Sequence, residues 1–228
     1  MPADILGQVY ERFLGKVIEI GEQGLTVEEK PEVKKAGGIF YTPEYIVNHI
    51  VKNTVGRLLE NKKPDTAAKI KILDPACGSG AFLINAYQCL LDWHLDWYKA
   101  NHPEKHTGKN KPLMRDDHGA YRLSHTERKK ILLNNIHGVD IDSQAVEVTR
   151  LSLLLKCLEG KNKRDLQTEL FNERLLPDLD GNVKCGNSLI GRDIYESEQG
   201  KLFERDREEK LRINAFDWKT EFKPIMDQ

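Results

Sequence analysis

No stretch of this sequence is long and apolar enough to cross a bilayer. Its start, Met1-Pro2-Ala3-Asp4, lacks the charged-then-apolar pattern of a secretory signal. Charge of one sign is not in excess either: 35 basic against 36 acidic residues leave a formal net charge of −1. No global positive field therefore recruits nucleic acid, and a DNA-binding surface has to be local or lie elsewhere. Cysteine is scarce. Cys77, Cys89, Cys157 and Cys185 are far apart and form no Cys-x-x-Cys pair, which argues against zinc and for reduced, mostly buried thiols in a cytoplasmic protein. The seven histidines show no metal-ligand spacing, there is no internal repeat, and none of the nine prolines is adjacent to another. What remains is 228 residues, 39% hydrophobic and 31% charged, enough for one domain with a sizeable core or a domain plus a helical appendage.

The most informative stretch is Ile70-Lys71-Ile72-Leu73-Asp74-Pro75-Ala76-Cys77-Gly78-Ser79-Gly80-Ala81-Phe82-Leu83. It reads as a short β-branched strand, a turn of small residues and an apolar helix start, the junction where α/β sheets bind cofactors. Gly78 and Gly80 allow a sharp turn and close approach to a ligand. An ordinary strand-to-helix connection would also use glycines. Two nucleotide motifs fit poorly: a P-loop needs Gly-Lys-Ser/Thr where Gly80-Ala81-Phe82 stands, and the dinucleotide fingerprint needs a glycine where Leu83 stands. An acidic residue closing the strand suits a ligand with an ammonium group better than a pyrophosphate.

Asp74-Pro75-Ala76-Cys77-Gly78-Ser79-Gly80-Ala81-Phe82-Leu83 closely resembles the cofactor-loop motif of adenine-N6 DNA methyltransferases, especially those of restriction–modification systems. The resemblance implies an α/β chain of class I S-adenosylmethionine-dependent methyltransferase (Rossmann-like) fold, with S-adenosyl-L-methionine as cofactor. Further matches extend it. Phe40-Tyr41-Thr42-Pro43 resembles the motif that precedes the cofactor loop, whose aromatic and Thr-Pro atoms pack on the methionine moiety. Its residues also suit a plain helix start, with Thr42 as N-cap and Pro43 in the first turn. Ile46, Val47, Ile50, Val51, Val55, Leu58 and Leu59 then give one broad apolar face.

Ile136-His137-Gly138-Val139-Asp140-Ile141-Asp142 reads as the second strand and its tip. Asp140 is the expected ribose ligand, Ile141 its apolar neighbour at the site, and Asp142 the N-cap of the next helix. The usual separation from the glycine loop is roughly 20 residues. Here it is about three times that, and a polar insertion from about Asn101 to Leu123, read as a solvated loop, accounts for the difference. Ser124-His125-Thr126-Glu127 is a capping box opening a helix to about Asn135. Asn182 to Ile190 reads as a third strand and turn. It resembles the motif whose polar residue receives the cofactor's adenine amino group; Asn187, followed by Ser188, stands where many relatives have Asp, and an Asn carbonyl still accepts that bond, while Gly-Asn-Ser is also a common turn sequence.

Elsewhere the periodicity predicts a helix over 4–20, with Ile5, Val9 and Phe13 at four-residue spacing, then a charged loop from Glu19 to Lys35. Phe82 to Leu91 predicts a helix against the sheet, which Trp93, Trp97 and Tyr98 extend as packing residues. Glu204 to Lys210 reads as a solvated helix, and Phe216, Trp218, Phe222 and Ile225 as an apolar tail without an evident partner.

The expected organisation is an amino-terminal helix and linker (1–36), the S-adenosylmethionine-binding half of a methyltransferase domain (37–191), and a charged helix and tail (192–228). Ala76 completes the cofactor set with Tyr41, Thr42, Pro43, Asp74, Gly78, Gly80, Asp140, Ile141, Asn187 and Ser188. No metal residue is expected. The family's catalytic Asn/Asp-Pro-Pro-aromatic tetrapeptide is absent, so no catalytic residue is assigned and the sheet is expected to be incomplete. The expected function is the cofactor-binding portion of a larger site-specific DNA adenine-N6 methyltransferase, inactive by itself. DNA would be met mostly through other parts, with no membrane partner, and self-association through an exposed sheet edge and the apolar tail is expected. An RNA or protein-glutamine methyltransferase, and a non-catalytic cofactor-binding module completed by a partner chain, are the alternatives.

Overall fold

The computed structural model describes residues 10, 16–21, 24–29, 42–160, 176–195 and 213–227. Tyr10 is helical, but the helix expected over 4–20 does not reach its end, nor is 19–35 a loop throughout. β1 (Lys16–Gly21) and β2 (Gly24–Glu29) form an antiparallel hairpin, with Gly21 opposite Gly24. Val17, Ile18, Ile20 and Val27 favour extended backbone. Gly24, at φ 112°, takes the left-handed geometry of a tight hairpin end. Local strand preference outweighs the four-residue apolar spacing upstream.

Helix α1 (Glu44–Val51) starts with Pro43, not Thr42, at its N-cap, and no side chain caps it. A π turn over Lys52–Gly56 leads into α2 (Arg57–Leu59). The buried stripe is Val47, Val51, Val55 and Leu59, whereas Ile50 and Leu58 are exposed. A strict four-residue repeat drifts around a helix of 3.6 residues per turn. The wider π turn absorbs that drift and keeps the narrow valine stripe on one face.

After α3 (Pro64–Ala67) comes β3 (Ile72–Asp74), then α4 (Ala81–Ala100). α4 is 20 residues long, a rod of about 30 Å that leaves the strand tips behind. At its far end the insertion is structured rather than solvated throughout: α5 (Pro103–His106) is followed by the hairpin of β4 (Leu113–Arg115) and β5 (Tyr121–Leu123). Leu113 and Leu123 are buried, and the Trp97, Tyr98 and His106 rings pack together there. A few apolar residues facing α4 suffice to fold a mostly polar segment.

α6 (His125–Asn135) keeps half of the capping box. Ser124 Oγ accepts from the Glu127 N–H at 3.3 Å, but the Glu127 carboxylate accepts from the Tyr98 hydroxyl at 3.1 Å. β6 (Ile136–Asp140) follows directly, then α7 (Ser143–Leu158), capped by Asp142, which accepts from the Gln144 N–H at 2.9 Å. β7 (Val183–Cys185) completes a parallel sheet of order β3-β6-β7, with Ile72 opposite Ile136 and Gly138 opposite Val183. Two buried amides fix its register. Asn135 donates to the Ala67 and Ile70 carbonyls, and Asn182 to those of Leu133 and Ile136.

α4, α6 and α7 build the main core on one face of this sheet, around Leu83, Tyr87, Leu132, Val146 and Leu153. The other face holds the tail that the sequence left unpartnered. α8 (Trp218–Glu221) and α9 (Lys223–Met226) lie against it, with Phe216 4% and Phe222 2% exposed beside Val139, Leu73 and Ile225. The Lys184–Glu221 ion pair at 2.8 Å adds a polar tie. The apolar tail is therefore no ground for self-association. The charged segment 204–210 lies outside the described residues. No described helix is long and apolar enough to cross a membrane.

Candidate functional site at the strand tips

Because the three strands are parallel, their carboxyl ends Asp74, Asp140 and Cys185 open on the same side, where ligands of α/β sheets bind. The glycine loop is tied to the second strand at two points. The Cys77 N–H donates to the Val139 carbonyl at 2.9 Å, and the Gly78 N–H to Asp140 Oδ2 at 2.8 Å. Asp140 Oδ1 accepts from the Asp142 N–H at 2.9 Å. One carboxylate thus holds both the loop and its own strand tip, with acceptor capacity left for a ligand.

Gly78 and Gly80 have φ of 53° and 88°, the left-handed region that side chains avoid. A Cβ on Gly80 would also stand 2.8 Å from the Thr149 methyl. The Thr149 hydroxyl donates to the Gly78 carbonyl at 2.7 Å, so α7 buttresses the loop.

Asp74 Oδ1 accepts from the Ala76 N–H at 3.1 Å. Burial raises its pKa, the Ala76 bond opposes that, and the nearby Asp140 charge adds to the rise. Among the described residues, no ion pair joins Asp74, Asp140 or Asp142 to a lysine or arginine. The two strand tips thus bring carboxylates together without a countercharge, an arrangement that favours a cation. Burial, then the Asp140 and Asp74 charges, push the Cys77 thiol well above its ordinary range. A helix start beside it does not make Cys77 a nucleophile. Among the described residues no group of histidine, cysteine and carboxylate side chains is arranged to hold a metal ion.

Asn187 follows β7 in a turn. Its Oδ1 accepts from the Leu189 N–H at 3.1 Å, and its own N–H donates to the Asn214 carbonyl at 2.7 Å. The Ser188 carbonyl accepts from Trp218 Nε1–H at 3.0 Å. Ile141 is half exposed beside Asp140, and Leu189 is 93% exposed.

Of the residues expected at the site, the structure brings Asp74, Ala76, Gly78, Gly80, Asp140 and Ile141 to the tips of β3 and β6, and Asn187 and Ser188 to that of β7. Tyr41 lies outside the described residues. No described hydrogen bond joins Thr42 or Pro43 to the group. α1 and the π turn after it meet the group instead through Ile50 and Thr54, which line a groove of about 280 Å³ with Leu73, Asp74, Pro75 and Phe82.

One residue escaped the sequence reading. The Tyr10 hydroxyl donates to Asp142 Oδ2 at 3.3 Å, and burial together with Asp142 and Asp140 raises its pKa. Nothing in a helical apolar pattern marks one tyrosine as reaching a strand tip far along the chain.

The family model for the MmeI DNA-methyltransferase domain matches residues 51–197, which include all three strand tips. Among curated relatives, the type II restriction enzyme and methyltransferase RM.Eco57I of Escherichia coli is 35% identical, over 82% of this chain and 18% of its own length. The putative type II restriction enzyme and methyltransferase RM.MjaORFECS2P of Methanocaldococcus jannaschii is 33% identical, over 82% of this chain and 16% of its own. The adenine-specific methyltransferase PglX of Streptomyces coelicolor is 26% identical, over 92% and 14%. The chain therefore spans less than a fifth of the length of these relatives. The parallel strands, the glycine loop and the match across them agree, and the chain belongs to the MmeI-type DNA-methyltransferase domain family of restriction–modification enzymes.

Proposed function

We propose that this chain is the S-adenosylmethionine-binding portion of a site-specific DNA adenine-N6 methyltransferase, with a class I, Rossmann-like fold. The observation that carries the reading is the union of Gly78 and Asp140 at 2.8 Å, which joins the glycine loop to an acidic strand tip. The chemistry of the site fits the cofactor. Its carboxylates lack a cationic partner among the described residues, and S-adenosylmethionine brings an ammonium and a sulfonium. When bound, it supplies a methyl group ready for displacement. Asp74 faces the ammonium, Asp140 accepts from the ribose hydroxyls, Ile141 covers the adenine, and Asn187 accepts from its amino group beside Ser188. Ala76, Gly78 and Gly80 keep the loop close. Tyr41, Thr42 and Pro43 are assigned to the methionine moiety on the family motif alone.

The division at 36 and 191 follows from this reading, with one amendment: the last part also covers the sheet, through Phe216, Trp218, Phe222 and Ile225. The acceptor is an adenine amino group in DNA. Amino-group transfer needs a group to accept the amino protons and a ring to hold the flipped base. The family supplies them in a tetrapeptide that this sequence does not contain. Calorimetric titration with S-adenosylmethionine tests the site. Asp140→Ala removes a charge-assisted acceptor worth about 1.5–3 kcal/mol, so affinity should fall roughly 10- to 100-fold. Equal affinity for parent and variant would take Asp140 out of the site.

A further inference from the structure

We propose that Trp218 is a positioning residue for the adenine end of the cofactor site, acting through the Asn187–Ser188 turn to set preference for adenine. This rests on the reading of the strand tips as an S-adenosylmethionine site. Burial does not hold the tip of the turn, where Leu189 is 93% exposed. It is held from the carboxyl-terminal segment. Asn187 and Ala215 form a parallel bridge, the Asn187 N–H donates to the Asn214 carbonyl at 2.7 Å, and the Phe216 N–H donates to the Ile190 carbonyl at 2.8 Å. Trp218 Nε1–H donates to the Ser188 carbonyl at 3.0 Å.

The anchor beneath is a cluster of aromatic rings. The Trp218 ring stacks on Phe222 at 5.9 Å and meets Phe216 edge-on at 4.9 Å. Phe216 occupies the space that a Cβ on Gly186 would need, so segment and turn approach as closely as backbone allows. With the turn fixed, Asn187 Oδ1 spends one lone pair on the Leu189 N–H and keeps the other for a donor. An adenine amino group satisfies it. A 6-oxo purine presents an acceptor instead and leaves two acceptors facing each other.

The test compares S-adenosylhomocysteine with S-inosylhomocysteine on the 228-residue chain by calorimetry. The parent should prefer the adenine ligand by about tenfold, the effect of one mismatched polar group. Trp218→Phe keeps an aromatic ring but deletes the donor. It should lower that ratio to about two or less while the unliganded thermal midpoint moves little, and Asn187→Ala should lower it equally. In the parent, the Trp218 indole N–H resonance should shift on adding S-adenosylhomocysteine while Trp93 and Trp97, in the distal half of α4, stay put. This second measurement decides the matter if the variant fails to fold. A parental ratio retained in Trp218→Phe, a parent without preference, or an unshifted Trp218 resonance overturns the proposal. A parent that binds neither ligand overturns the cofactor reading itself, and this inference with it.

Discussion

His137 lies in β6 opposite Leu73, edge-on to the Phe222 ring at 5.8 Å. Burial first, and the Lys71 charge second, lower its pKa from about 6.5 to about 4. The folded state therefore holds the neutral ring, while the unfolded chain takes up a proton as pH falls below 6.5. The stability is complete above that value and is lost progressively down to pH 4, by about 3 kcal/mol across the window. Urea unfolding at pH 7 and pH 4.5 should show this slope, and His137→Gln should flatten it; an equal slope in the variant would place the proton elsewhere. At this scale the sequence was legible where one residue has one short-range task. Asp142 caps its helix and Ser124 accepts from Glu127, both from local signals. Asp140 was marked by its motif, but its grip on the Gly78 N–H was not, because that bond exists only once β3 and β6 are paired. Tyr10 and Trp218 were invisible for the same reason.

Among elements, α4 was legible from its apolar period, α6 from its capping box and the three parallel strands from their short apolar runs, whereas α7, apolar nearly all round and so expected to be buried, leaves Leu151 47% exposed. The hairpin of β1 and β2 was missed because apolar spacing upstream was extended through residues that prefer strand. The carboxyl-terminal aromatic segment was misjudged because its partners, Leu73 and Val139, lie in other elements and no local pattern names them. Its weight can be measured. Phe222 is 2% exposed, and Phe222→Ala should cost about 3–5 kcal/mol in equilibrium unfolding. A cost below 1 kcal/mol would mean that the segment is not part of the fold's core.

For the molecule as a whole, the near-neutral charge and the lack of the catalytic tetrapeptide carry one expectation. On the proposed reading, the chain alone should transfer no labelled methyl group to adenine-rich DNA, even where it binds S-adenosylmethionine. Robust incorporation by the chain alone would mean that its own residues supply the catalytic groups. Of the two grounds for self-association, the tail is gone, but β3 still pairs on one side only among the described residues. An open strand edge of that kind favours pairing with another chain.

The rod of α4, about 30 Å long, carries the insertion hairpin away from the strand tips. For an experimenter this makes the far end a handle. A fluorophore or affinity tag at exposed Asn110 or His118 loads the outer turns of the molecule and leaves the strand tips mechanically untouched.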